Sequence, residues 1–340
     1  MEILICNNGI GDKLVDLIGF NTLCKIQNIK FKIVFNDIIK EYKFGMKNYY
    51  DCNLFIFENM DVVNHYENNN EDEIIIMPQK FNKNHKKYGI KGLENQPGDY
   101  DIPVAIKEKV WGKYFWPTGT YNIPRIFRQL KYKYSLEYIT KKYIETAEMI
   151  KPCKYIDNLI PEDIQKCYGV HLRRSDKIIS EKEFKEKKSV NSHVWCNSLS
   201  EYDKIIEDTK SYILDSINKG INKLFFVCSE DIEYKNKFKE WIINNGGKVI
   251  DIEAPSHENN EQILPILDIF CLSKCKLIIQ GIKYSSFSVI ASLIGNKKII
   301  NFHDNKDENL INLYKSAINV NGDNLDMEVC NSILDKTFPE

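Results

Sequence analysis

Gly169-Val170-His171-Leu172-Arg173-Arg174-Ser175-Asp176-Lys177 is the stretch on which the reading of this chain turns. The run from Cys167 to Leu172 reads as a strand of an α/β series. Side chains alternate along a strand, so His171 and Arg173 share one face while Val170 and Leu172 share the other. The strand ends at the two arginines, and open α/β sheets bind ligands at the carboxyl ends of their strands. Arginine presents a planar, permanently charged fork that suits phosphate oxygens. Two readings follow: an anion site, most simply for a diphosphate, or an ion cluster between domains that includes Asp176.

The composition gives those arginines weight. Lys and Arg together number 47 among 340 residues, yet arginine stands only at Arg125, Arg128, Arg173 and Arg174. The formal net charge of −1 argues against a general electrostatic grip on nucleic acid or anionic membrane. With 43% hydrophobic and 28% charged residues, the chain is globular, and its length suits two domains. No apolar run is long enough for a transmembrane helix, and Met1–Cys6 has neither the basic start nor the cleavage site of a signal peptide. The 10 cysteines are scattered with no C-x-x-C pair, which points to reduced thiols and a cytoplasmic setting.

Outward from the arginines, strands and helices alternate. Met1–Cys6 reads as a strand, Lys13–Ile26 as a helix and Lys30–Phe35 as a second strand, the opening of an α/β layer fold. Asn53–Phe57 and Glu73–Met77 are further strands, and Tyr132–Ile150 a helix. Lys151-Pro152 and Ile160-Pro161 bracket a crossing between domains. After it come strands at Cys167–Leu172, Lys223–Cys228, Lys248–Ile252, Leu277–Gln280 and Lys297–Phe302. Helices at Leu199–Lys219, Ile232–Asn244, Leu264–Ser273 and Ser286–Ile294 interleave with them, and Asp326–Asp335 closes the chain. The expected organisation is a domain over 1–155 and another over 156–340, each Rossmann-like, with the final helix a candidate to pack back on the first.

His-x-Arg-Arg-x-Asp-Lys after a strand resembles the first signature of the fucosyltransferases that make α1,2, α1,6 and protein O-linked bonds. Phe225-Phe226-Val227-Cys228-Ser229-Glu230-Asp231-Ile232-Glu233 resembles the strand and acidic loop that follow it. Leu267-Asp268-Ile269-Phe270-Cys271-Leu272-Ser273-Lys274-Cys275 and Tyr284-Ser285-Ser286-Phe287-Ser288 resemble the last motif, and Asn8-Gly9-Ile10-Gly11-Asp12 the N-terminal Gly-rich turn. The resemblance spans most of 168–294 and about the first thirty residues, and is silent over roughly 37–160. Two departures stand out: Val289-Ile290-Ala291 replaces the usual aromatic residues, and Gly281-Ile282-Lys283 looks like an insertion.

The resemblance implies a GT-B-like α/β fold of two Rossmann-like domains facing a central cleft, the first on the acceptor side and the second holding a nucleotide sugar. It implies an inverting, metal-independent transfer in glycan biosynthesis, from GDP-fucose to a glycan or other hydroxyl acceptor, with no cofactor. It places Arg173 on the donor β-phosphate, with Arg174 beside it, His171 near the nucleotide and Asp268 on the guanine edge. Ser285 and Ser286, with Phe287, would offer hydroxyl and backbone donors to the diphosphate. Residues at a turn that opens a helix can do so because free N–H groups point at the ligand; a plain N-cap is the other reading of Ser285. Glu181 matches the position of a family glutamate and is a candidate base, with Asp176 and Asp12 as rivals.

The remaining motifs exclude more than they assign. Gly9 and Gly11 face the donor in this reading, but Leu14 stands where a dinucleotide fingerprint needs a third glycine, and Lys13 is not followed by Ser or Thr as in a P-loop. Asp99-Tyr100-Asp101 is a D-x-D triplet of a kind that arises by chance in an acid-rich chain, so no metal is assigned. Trp111, Tyr114, Phe115 and Trp116 could stack on acceptor sugars or fill a core. His193, His257 and His303 are isolated, and Arg125 and Arg128 have no role. Two alternatives stay open: another nucleotide deoxysugar as donor, or a silent domain that binds glycan or nucleotide.

Overall fold

A computed structural model of the chain describes residues 2–4, 9–28, 32–35, 50–64, 74–77, 114–117, 126, 130, 133–174, 178–179, 197–252, 260–282 and 285–302. It divides into two units, Met1–Cys153 and Lys154–Glu340. The closing helix expected at 326–335 lies outside the described residues.

The first unit begins with strand β1 (Glu2–Leu4), helix α1 (Ile10–Ile26) and β2 (Lys32–Val34). Strands β3 (Phe55–Phe57), β4 (Val62–Val63), β5 (Ile74–Met77) and β6 (Tyr114–Pro117) follow, then α2 (Leu136–Ala147) and β7 (Ile150–Pro152). The sheet runs β4-β2-β1-β6-β5, and every pairing in it is parallel. The aromatic run at 114–117 is therefore an interior strand between β1 and β5. Leu14, Leu17, Ile18, Phe20 and Leu23 of α1 are buried, so the helix is enclosed on nearly all sides. Tyr143 of α2 donates to the Val15 carbonyl at 3.2 Å and pins the two helices together.

Two expectations shift at the end of this unit. The helix read over 132–150 stops at Ala147, because Ile150–Pro152 pairs antiparallel with β3. Pro152 is the last residue of a short two-stranded ladder, where a missing N–H costs little. The strand read over Asn53–Phe57 begins instead with a 3-10 turn at Cys52–Leu54, capped by the Asp51 carboxylate accepting from the Asn53 N–H.

The second unit contains α3 (Lys154–Leu159), β8 (Tyr168–Leu172), β9 (Ile178–Ile179), β10 (Asn197–Ser198) and α4 (Leu199–Asn218). It continues with β11 (Leu224–Cys228), α5 (Ile232–Asn244), β12 (Lys248–Ile250), α6 (Asn260–Lys274), β13 (Leu277–Gly281), α7 (Ser286–Gly295) and β14 (Ile299–Asn301). Its five-stranded sheet is wholly parallel with the order β12-β11-β8-β13-β14. β8 is the first of these strands and lies at the centre. The chain builds one wing through β11 and β12, then crosses to build the other through β13 and β14. That reversal between β8 and β13 is the topological switch point of a Rossmann-like unit.

Both faces of this sheet are covered. Val170 and Leu172 of β8, Phe225 and Val227 of β11, and Ile279 of β13 pack against Ile206, Ile213 and Ile217 of α4 and Phe238 and Ile242 of α5. Gly169 and His171 point the other way, toward α6 and α7. A Cβ on Gly169 would sit 2.7 Å from Leu272, so the missing side chain lets α6 lie against β8. A Cβ on Gly295 would overlap the Ser273 carbonyl, so α7 crosses α6 there at backbone contact. α4 starts with a capping box in which Ser198 and Glu201 each accept from the other's backbone N–H.

Candidate functional site at the switch point

Two segments leave the sheet side by side. His171 is paired with Gln280, and Leu172 with Gly281, in the last registers of β8 and β13. Arg173 and Arg174 follow directly on one strand, and the Ser285-Ser286 turn opens α7 after the other. Gly281 is what lets the strands end so closely: a Cβ there would lie 2.7 Å from Leu172 Cδ2 and 3.2 Å from the His171 carbonyl. Of the segment that looked like an insertion, Gly281 continues β13 and Ile282 is buried in the core, while Lys283 lies outside the described residues.

His171 is buried and locked. Its Nδ1 lies 3.2 Å from Ser288 Oγ, and its ring stacks on Phe287 with centroids 5.0 Å apart. Burial, and secondarily the charge of Arg173, push its pKa down to about 3. The imidazole is neutral across the physiological range and serves to join the end of β8 to the first turn of α7.

Ser285 occupies the N-cap position of α7 with an extended backbone, but its side chain makes no cap hydrogen bond. Its Oγ is buried and without a partner among the described residues. Ser285 thus holds the N-cap position without capping the helix through its hydroxyl. A buried hydroxyl left unpaired costs about 1–3 kcal/mol, so its place at a helix N-terminus calls for an explanation. The turn itself is held from beneath: Gln280 Nε2 donates to the Ser285 carbonyl at 3.3 Å, and Gln280 Oε1 accepts from Asn301 Nδ2 at 2.9 Å. Ser286 and Phe287 form the first turn of α7, half-buried.

Asp268 lies on α6, which packs against both β8 and β11. Part of the residue reaches the surface, but Oδ1 is shut off and has no partner among the described residues. Burial pushes its pKa up to about 7, with the charge of Lys235 opposing. It also raises the pKa of Cys228 at the end of β11, after burial itself, which places the carboxyl near the carboxyl end of that strand.

The two arginines separate. Arg173 is half-buried, whereas Arg174 is exposed with its guanidinium over the Tyr234 ring of α5, 4.8 Å from the centroid. The Arg174 N–H donates to Glu230 Oε1 at 2.6 Å. Nothing local in the sequence announces the Tyr234 contact, because sixty residues separate the partners; the only signal was the acidic loop at Glu230.

Gly9 and Gly11 sit at the start of α1 in the first unit. Gly9 is exposed, has no left-handed backbone, and a Cβ there would meet nothing within 4 Å. Lys13 turns inward: its Nζ donates to the Phe35 carbonyl at 3.0 Å in the core, a placement unlike that of a phosphate-binding lysine. Asp12 is in the first turn of α1. Asp176, Glu181, Arg125, Arg128, Asp99 and Asp101 lie outside the described residues. Among the described residues no group of three or more His, Cys, Asp or Glu side chains could hold a metal ion. No helix among them is long and apolar enough to cross a membrane.

No known protein-family profile matches the chain, and no curated protein sequence does. Solved structures do. A mutant of FUT1 from Arabidopsis thaliana, in complex with GDP, superimposes with a TM-score of 0.51 at 11% identity, over 90% of this chain and 71% of that one. The fucosyltransferase NodZ from Bradyrhizobium follows at a TM-score of 0.46 and 13% identity, over 89% of this chain and 94% of that one. POFUT1 in complex with GDP-fucose follows at a TM-score of 0.48 and 11% identity, over 89% and 98%. The first of these shows the fold: the chain is GT-B-like, with two Rossmann-like α/β units in succession, and it shares that fold with a fucosyltransferase.

Proposed function

We propose that this chain is an inverting glycosyltransferase that moves fucose from GDP-fucose to a hydroxyl acceptor without a metal. One observation carries the reading. At the switch point of the second unit, Arg173 follows β8 directly, next to the His171 that reaches Ser288 of α7, and at the N-terminus of α7 the buried hydroxyl of Ser285 lacks a partner among the described residues. An arginine, a helix N-terminus and a spare hydroxyl together suit a diphosphate. FUT1, whose fold this chain shares, was solved in complex with GDP, which supports the choice of nucleotide.

In this reading Asp268 accepts from the guanine edge, and its neutral-to-charged balance near pH 7 shifts toward the carboxylate when guanine donors arrive. Ser286, Phe287 and the Ser285 hydroxyl meet phosphate oxygens. The acceptor oxygen attacks C1 of the sugar as the bond from C1 to the β-phosphate oxygen breaks. The electron pair leaves on GDP, and the hydroxyl proton passes to a carboxylate, for which Glu181, Asp176 and Asp12 are the candidates. Arg173 and the α7 N–H groups meet the charge that develops on the leaving group, the task a metal performs elsewhere. The seven described cysteines are unpaired thiols, which suits a reducing cytoplasmic setting.

The test is release of GDP from GDP-fucose, assayed in EDTA beside other nucleotide sugars. Wild type should release GDP slowly without acceptor. Arg173→Lys, which keeps the charge and loses the fork, should reduce that rate by about 100-fold, the scale of losing one preorganised donor to a developing anion. Turnover near wild type in Arg173→Lys would remove the phosphate role. Release from UDP-sugars alone would replace the donor, and release from none would favour a binding module.

A further inference from the structure

Arginine side by side with arginine invites the reading that both grip the same anion. The geometry separates them. Successive residues of an extended chain point to opposite sides. Arg173 lies close enough to His171 for its charge to act on that imidazole, whereas the Arg174 guanidinium sits over the Tyr234 ring of α5.

Its landing place is firm. Tyr234 packs on the core cluster, with its ring 6.3 Å from that of Tyr202 and 6.5 Å from that of Phe238. Its own N–H donates to Asp231 Oδ1 at 2.9 Å, the cap of α5. Glu230 immediately precedes that cap and accepts the Arg174 N–H through Oε1. Ser229 Oγ in turn donates to Glu230 Oε2 at 3.4 Å and accepts from the Asp231 N–H at 3.2 Å. The segment after β8 is thus fastened at its side chain by a ring and at its backbone by a carboxylate, both from the loop and helix that follow β11. A guanidinium over a ring face is attracted by the ring quadrupole, and the contact needs the ring rather than the phenol hydroxyl.

We propose that Arg174 is a positioning residue: Tyr234 and Glu230 hold it against α5, and this clasp fixes the end of β8 so that Arg173 meets the donor diphosphate already aimed. The inference rests on the donor reading above. Its chemistry is local preorganisation: a guanidinium held in place loses less freedom on binding than one on a loose segment.

The experiment is a GDP titration by calorimetry on the full chain, with thermal melts beside it. The variants are Arg174→Ala, Tyr234→Leu, Tyr234→Phe and the Arg174→Ala/Tyr234→Leu double variant. Each of Arg174→Ala and Tyr234→Leu should weaken GDP about tenfold with Arg173 intact. The double variant should bind no more weakly than either single one, since both open the same clasp. Tyr234→Phe, which keeps the ring, should bind within about twofold of wild type. Unchanged affinity in Arg174→Ala overturns the proposal, and so does an additive double variant, which would mean that Arg174 touches the ligand itself. If Tyr234→Leu melts too low to titrate, Arg174→Ala and Tyr234→Phe decide alone. Wild type that fails to bind GDP overturns the donor reading and this inference with it; wild type that binds while the variants behave otherwise overturns this inference only.

Discussion

Asp268 sits in an environment that argues against its own charge. Its shut-off oxygen has no partner among the described residues, and burial raises its pKa from 3.8 to about 7. The native carboxyl therefore keeps a proton that the unfolded chain has already released. Stability from this group is fully present below about pH 4 and lost as pH rises toward 7. Asp268→Asn removes the dependence. The stability of that variant relative to wild type should grow with pH across this window, reaching about 1–3 kcal/mol by pH 7.5. The same variant should bind GDP less well, so a site residue is identified by a gain and a loss together. Denaturant melts at several pH values check the first half; a difference that shrinks with rising pH would mean the carboxylate is stabilised where it lies. Other residues were legible in the sequence to different depths. The alternation that puts His171 opposite Val170 and Leu172 could be read directly, and the structure keeps it. The unpaired state of Ser285 could not, because whether a hydroxyl caps its helix depends on side-chain rotation and not on residue type.

β13 and α7 show how element packing sets the site. The strand ends were read correctly to within a residue or two, since apolar runs bounded by Gly or polar turns mark parallel strands well. The helix at Ile232–Asn244 has the bounds its sequence pattern indicates. The start of α6 departs from its pattern: the helix begins at Asn260, before Pro265, and the proline is carried inside it. A proline biases a sequence reading toward a later start, while packing of α6 on β8, β11 and α7 sustains the earlier turn. Gly281 is the most exacting position at this scale. Gly281→Ala would press a methyl against Leu172 and the His171 carbonyl, where β8 and β13 part. It should destabilise the protein by about 1–3 kcal/mol, seen as a lowered melting temperature. Because the displaced atoms belong to His171 and its neighbour, GDP affinity should fall as well. An unchanged melt with unchanged affinity would show that the strand ends yield freely.

Two α/β series in one chain are visible from the alternation of apolar runs and helical spacing, and each unit contains a five-stranded parallel sheet. The second has the strand order that makes a switch point at β8 and β13, and the arginine motif falls on it. The first was less legible. Its β3 and β7 ladder and the interior place of β6 arise from pairings between residues far apart in sequence, which local periodicity does not encode. The scarcity of arginine, by contrast, was plain from the start. Half of the four arginines stand at that strand end, one directly after Leu172 and one held over the Tyr234 ring. A crystal structure of the protein with GDP should show the diphosphate beside Arg173 and the N-terminus of α7, within hydrogen-bond reach of Ser285 Oγ, and guanine at Asp268. GDP bound elsewhere, or a switch point left empty at saturating nucleotide, would contradict the donor reading.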